Sequence, residues 1–190
     1  MAWARSRPDI LLMWQDECWF SRFAQPNAHD WGGITLIERP ASRKITDKAL
    51  ACYGAIRDDT RQMHLCFCED RPRSDQTIKF LAYLLDCTRQ ADKRLLILIW
   101  DHASWHKSRA VKDWIRAYNR QGKATDDVRL ITWLLPTKSP WLNPIEPHWL
   151  HGKRAVLKSG GDDLTPQVLR DRLCAHFQVE PLFLHSNPLP

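Results

Sequence analysis

The sequence predicts an α/β domain, a mixed sheet flanked by helices. Strand-like apolar runs dominate the first part of the chain, and helical and strand patterns alternate in the second. Two runs, DILLMWQ (9–15) and RLLILIW (94–100), are nearly unbroken stretches of apolar residues and each ends at a carboxylate, Asp16-Glu17 and Asp101. Runs of that kind are strands buried on both faces, so these two are expected side by side in the sheet centre.

In chain order, 9–15 reads as the first strand, 32–37 and 49–56 as further strands, and 62–68 as the hairpin partner of 49–56 across the turn at 57–61. Three consecutive antiparallel strands are therefore expected. Residues 74–91 read as a helix, with Ser74 as N-cap and Ile78, Leu81, Ala82 and Leu85 at helical spacing. The central strand 94–100 follows. A helix over 104–121 shows Val111, Ile115 and Tyr118 on one face and stops at Gly122. Residues 128–134 read as a strand, 136–144 as a Pro-rich loop and 143–158 as a helix. The last helix, 165–179, has Pro166 in its first turn. Residues 1–180 form the expected domain, and 181–190 a C-terminal tail.

The chain has 190 residues, enough for one domain with a real core, and its 44% hydrophobic and 26% charged content is that of a globular protein. No apolar run is long enough to span a bilayer, so no membrane partner is expected. Six cysteines lie mostly in apolar runs without a zinc spacing, which points to reduced thiols and a cytosolic setting. The net charge is +6, and residues 94–158 alone carry 12 Lys and Arg against 5 Asp and Glu. A basic surround suits a polyanion such as nucleic acid, and equally a merely solvated basic face.

An ionised Asp at the end of a buried strand needs a cation, a hydrogen-bonding partner or water, and open α/β sheets collect ligands at the carboxyl ends of their strands. Asp101 is thus either a site residue or the cap of the following helix. The loop LPTKSPWLNPIEPHW supplies Glu146, with Asn143 as expected N-cap, Pro144 at N1 and Glu146 at N3. Asn143 and Glu146 therefore form either a capping box or one corner of a site. Three carboxylates, Asp16, Asp101 and Glu146, can hold two hard divalent ions through oxygen. Two such ions ~4 Å apart activate a nucleophile and stabilise the leaving oxygen in phosphoryl transfer.

The segments DILLMWQDECWF, LLILIWDHASWHKS and LLPTKSPWLNPIEPHW together resemble the three blocks of DDE transposases of the Tc/mariner superfamily, most closely its bacterial insertion-sequence branch. The S-P-x-L-N-P-I-E core is the most specific part. The resemblance implies an RNase H-like fold with a mixed five-stranded sheet, Asp16, Asp101 and Glu146 as catalytic metal ligands, and two Mg²⁺ or Mn²⁺ ions. It implies cleavage and strand transfer of DNA, with transposon ends and target as partners, a homodimer, and a nucleoid-associated bacterial cytoplasm. Three features depart from the pattern. Forty-four residues separate Asp101 from Glu146, more than is usual in the family, and 122–127 is expected as a surface insertion that absorbs the excess. His102 and Lys138 replace the usual Asn and Tyr. The first block begins by Asp9, which leaves no room for the family's N-terminal helix-turn-helix domains. A DNA-binding partner from a separate reading frame is the corresponding expectation.

His106, five residues after Asp101, is a candidate proton-transfer group or a locally packed residue. Lys107, Lys138, Lys153 and Arg154 are candidate phosphate contacts or ordinary surface charges, and Trp105 and Trp141 candidate base-stacking residues or core. Glu17 should point to the opposite face of the strand from Asp16 and is not expected as a main ligand. Rival readings are an RNase H-like nuclease without transposition, a DNA-binding remnant without turnover, and a zinc hydrolase built on His102, His106, Glu146, His148 and His151.

Overall fold

The computed structural model describes residues 2–20, 50–68, 71–158 and 165–183. After a short helix α1 (Ala2–Arg5), strand β1 (Ile10–Phe20) is followed by β2 (Leu50–Arg57) and β3 (Met63–Cys68). Helix α2 (Ser74–Gln90), β4 (Leu95–Trp100), α3 (Arg109–Thr125) and β5 (Arg129–Leu134) alternate, and α4 (Glu146–Lys158), α5 (Pro166–Phe177) and the two-residue β6 (Leu182–Phe183) close the chain. The sheet order is β5-β4-β1-β2-β3-β6. The β1–β2–β3 meander is antiparallel, and β4 and β5 add parallel to β1, so the five principal strands form the expected mixed sheet. The short β6 pairs parallel with β3 and brings two residues of the expected tail into the sheet. The expected strand at 32–37 lies outside the described residues.

Alternation along β1 divides the core in two. Leu12, Trp14 and Cys18 face α4 and α5, together with Ile99, Ile145, Trp149 and Leu173. Leu11 and Met13 face α2 and α3, together with Phe80, Leu84, Leu98 and Val111. Both faces of β1, β2 and β3 are covered, which is why these strands carry apolar residues in consecutive positions. Asp16 and Glu17, consecutive on β1, consequently project to opposite faces.

Four local expectations are corrected. Strand β1 does not stop at Gln15; its antiparallel ladder with β2 continues to Phe20, so Asp16 lies within a strand. Helix α2 is capped at Arg73, and Ser74 is its first residue. Helix α3 starts at Arg109 rather than 104, because Ser108 accepts the Val111 N–H and residues 101–107 are used in a compact turn. It then runs through Gly122 to Thr125, and Asp126 in the left-handed conformation ends it. Residues 122–127 are therefore the last helical turn and its cap. Gly122 is buried there against the carbonyl of Val128, where a Cβ would come within 3.1 Å.

Candidate active site

The parallel ladder pairs Ile10 with Leu95 and Trp14 with Ile99. Continued two residues beyond the ladder, the same register puts Asp16 on β1 level with Asp101, the residue after β4. The sheet therefore sets the first two carboxylates side by side where β4 ends. Glu146, the first residue of α4, completes the group, and all three line one cavity of about 310 Å³ with His102, Lys138 and Asn143.

Each of the two aspartates is held through one oxygen. Trp149 donates its indole N–H to Asp16 Oδ2 at 3.1 Å. The Trp149 ring can lie there because Gly54, the β2 partner of Asp16, has no side chain; a Cβ at Gly54 would meet the ring at 2.3 Å. Asp101 Oδ1 accepts the Ala103 N–H and faces His106 Nδ1, both at 2.9 Å. Asn143 is buried and donates its amide to the Gln15 carbonyl at 3.0 Å, which ties the loop before α4 to β1 beside Asp16. Its own backbone N–H donates to the Pro140 carbonyl at 2.8 Å. The reciprocal bond of a capping box, from Asn143 N–H to Glu146, is thus replaced, and α4 begins at Glu146 itself.

The environments of the two aspartates diverge. Burial, then the charges of Glu17, Glu146 and Asp101, push the Asp16 carboxyl up to about 7. Burial also pushes Asp101 up, but the hydrogen bonds from His106 and Ala103 outweigh it and hold that carboxyl below its ordinary value. Burial opposes a charge on His106, yet Asp101 and Glu17 on its two sides raise it to about 9. A pair of carboxylates pulled apart in this way, at a cavity, is an arrangement typical of a functional site.

The other expected residues separate. Lys138 lines the cavity and is exposed, with a left-handed backbone. Lys153 sits beside the Cys18 thiol, two residues beyond Asp16 on β1; burial raises that thiol to about 11 and the Lys153 ammonium opposes the rise. Trp141, on the short 3₁₀ turn Pro140–Leu142, is 76% exposed next to the cavity loop. Lys107 and Arg154 are exposed outside the cavity lining. Trp105 is half-buried and donates its indole N–H to Glu17 Oε1 at 3.1 Å. His106 is buried with both ring nitrogens engaged, one by Asp101 and the other by Glu17. The zinc set His102, His106, Glu146, His148 and His151 does not assemble; among the described residues, only Glu17, Asp101 and His106 bring three ligand atoms within 4.8 Å. Sequence reasoning missed Gly54, and it gave no role to Trp149 although that residue closes the third block, LLPTKSPWLNPIEPHW.

A model of the DDE superfamily endonuclease family matches residues 12–163, a span that holds all three carboxylates. The chain belongs to the DDE endonuclease superfamily. No curated protein sequence matches this DDE domain. Among solved structures it is similar to the Mos1 transposase paired-end complex with left transposon end, at 16% identity and a TM-score of 0.58, over 89% of this chain and 48% of that one. A simian T-cell lymphotropic virus intasome, in complex with PP2A regulatory subunit B56 gamma, matches at 12% identity and 0.53, over 96% of this chain and 58% of that one. The Mos1 mariner paired-end complex with Mn matches at 16% identity and 0.50, over 88% and 53%. The likeness is one of fold, an RNase H-like mixed sheet flanked by helices, and the chain spans about half the length of the transposase it matches.

Proposed function

We propose that this DDE domain is a transposase catalytic domain that cuts and rejoins DNA, with Asp16, Asp101 and Glu146 as the ligands of two Mg²⁺ or Mn²⁺ ions. The observation that carries the reading is the meeting of the three carboxylates in one cavity. Each of the two aspartates is anchored through one oxygen, which leaves the other to a cation. An all-oxygen donor set suits a hard divalent ion, and the Asp16 carboxyl is raised by burial first and then by the negative charge of Glu17, Glu146 and Asp101, both of which such an ion would offset. When bound, the metal supplies Lewis acidity toward the phosphodiester and lowers the pKa of the attacking oxygen.

The chain's own groups orient and hold. Trp149 and Asn143 fix Asp16 and the start of α4, and the 101–106 turn fixes Asp101. Lys138 at the cavity and Lys153 beside β1 are placed to meet phosphate oxygens, and Trp141 offers a face to an unstacked base. In the first reaction, water attacks phosphorus at the transposon end and the bond to the 3′ oxygen breaks, which leaves a 3′-hydroxyl and a 5′-phosphate. In the second, that hydroxyl attacks target phosphorus, a new phosphodiester forms, and the displaced target oxygen leaves with a proton. The partners we propose are DNA ends and target, a second copy of the chain, and a DNA-binding module supplied in cis or from a separate reading frame. The proposed setting is the bacterial cytoplasm, at the nucleoid.

The test pairs Mn²⁺ calorimetry with nicking of a supercoiled plasmid, on wild type and Asp101→Asn. We expect the wild type to bind manganese and nick, and the variant to lose both while it stays folded. DNA binding without turnover in the wild type would refute the catalytic reading and leave a DNA-binding remnant.

A further inference from the structure

Glu17 follows Asp16 but belongs to the opposite face of the sheet, outside the lining of the three-carboxylate cavity. Its side chain is nonetheless only 6% exposed, and its Oε1 gathers three donors: Gln15 Nε2 at 3.0 Å, Trp105 Nε1 at 3.1 Å and His106 Nε2 at 2.9 Å. A buried carboxylate costs free energy unless it is fully partnered, and here one oxygen takes all three bonds. His106 lies flat on Trp100, with ring centres 4.4 Å apart and planes 8° from parallel. Its other nitrogen, Nδ1, meets Asp101 Oδ1 at 2.9 Å and the Asp101 carbonyl at 3.3 Å. An imidazole clamped on two sides and stacked on a third has one orientation, so the position of Asp101 is passed from β1 through the ring.

We propose that Glu17, acting through His106, positions Asp101 for the metal site, so that the face of the sheet remote from Asp16 braces the ligand on the near face. This rests on the reading of Asp101 as a metal ligand. Glu17 and His106 are positioning residues. Their direct contact, at 2.9 Å, is a hydrogen bond with no room for an ion between them. Partners that orient a ligand in this way are worth about 10–100-fold in metal affinity or activity.

The proposal predicts a specific pattern in the full chain. Glu17→Leu removes the acceptor at similar volume, and should weaken Mn²⁺ binding about 10-fold or more and lower nicking turnover, with the KM for DNA unchanged. Glu17→Gln retains Oε1 and should stay within about 3-fold of wild type, since an amide oxygen can accept the same N–H bonds. His106→Gln breaks the bridge from the other side and supplies the same test if Glu17→Leu does not fold. The double variant should be no worse than the poorer single one, because both remove one chain of contacts. A folded Glu17→Leu or His106→Gln with wild-type manganese affinity, while Asp101→Asn loses it, overturns the positioning role and leaves the metal site standing. So do additive losses in the double variant, or the loss of one whole ion from the binding stoichiometry, which would make Glu17 a ligand. Unchanged manganese affinity in Asp101→Asn would instead remove the metal site itself.

Discussion

Asp16→Asn should make the metal-free protein more stable, and the size of the gain can be worked from the site. The carboxyl stands at about 7 in the folded chain against an ordinary value of 3.8, because it is buried beside Glu17 and Glu146. A folded-state pKa above the unfolded one means that the folded protein holds this proton more tightly. Stability is therefore lost as pH rises from about 4 to about 7, and the full penalty is present above that window. About 3 pH units at ~1.4 kcal/mol each gives an upper limit of ~4 kcal/mol, and partial solvent access to Asp16 reduces it to ~2–4 kcal/mol. Asn keeps an oxygen for the Trp149 N–H and carries no charge. Thermal melting at pH 8 with a chelator should place Asp16→Asn roughly 5–15 °C above wild type, on the scale of about 2–4 °C per kcal/mol for a domain this size. The gap should close toward pH 4. Saturating Mn²⁺ should close the gap or reverse it, since an ion at about 1,000 times its Kd adds ~4.1 kcal/mol to the form that binds it. A variant that melts at or below wild type in chelator at pH 8 would refute this account of the site.

Three further perturbations have equally direct readouts. Gly54→Ala places a methyl where the Trp149 ring lies, at 2.3 Å, and should destabilise by about 1–3 kcal/mol in denaturant titration; wild-type manganese affinity in this variant would show that Trp149 does not hold Asp16. The His106 imidazole stands at about 9, above its ordinary 6.5, so its contribution is fully present below about 6.5 and is lost as pH rises through 9. The stability difference between wild type and His106→Gln, measured by urea unfolding, should accordingly shrink between pH 7 and pH 10, and a constant difference would contradict the ion-pair origin of the shift. Lys138→Ala and Lys153→Ala should each weaken binding of any DNA sequence and reduce the slope of log affinity against log salt by about 0.7–0.9, one phosphate contact apiece; unchanged slopes would place these lysines off the DNA path.

The carboxylates were legible in the sequence because each interrupts an apolar pattern that has to be buried. An unbroken run ending in Asp101 and another reaching Asp16 read as neighbouring central strands, and they are: the two pair in parallel up to Trp14 and Ile99, two residues short of the carboxylates. Helix starts were less legible. The run 104–121 has helical periodicity, yet the chain spends residues 101–107 on a turn because Asp101 Oδ1 takes the Ala103 N–H and His106 folds back on Asp101. Those contacts are local side-chain bonds, held in place by the tertiary bond from His106 to Glu17, and hydrophobic periodicity carries no trace of them. Gly54 was invisible for a related reason. A glycine in a strand commonly marks close approach of another group, but only the packing of α4 across β2 reveals that the group is Trp149 and that its N–H serves Asp16.

Glu17 shows how far a correct local inference can mislead about function. Strand alternation does send it away from Asp16, and a ligand search on one face rightly omits it. The sheet is a single layer, however, and Asp101 stands at the end of its strand, where the chain turns and can be reached from either face. His106 reaches it from the α2 and α3 side, stacked on Trp100, and Glu17 closes behind the ring. The two faces therefore divide the work. The α4 side supplies Asp16, Glu146 and the cavity, and raises the charge repulsion that an ion would relieve. The opposite side supplies a buried, fully bonded bracket that depresses Asp101 and fixes its angle. A site held from both faces tolerates change on its rim more readily than beneath it, so substitutions at exposed Lys138 should alter DNA affinity alone, while those at buried Glu17 or His106 should alter the metal.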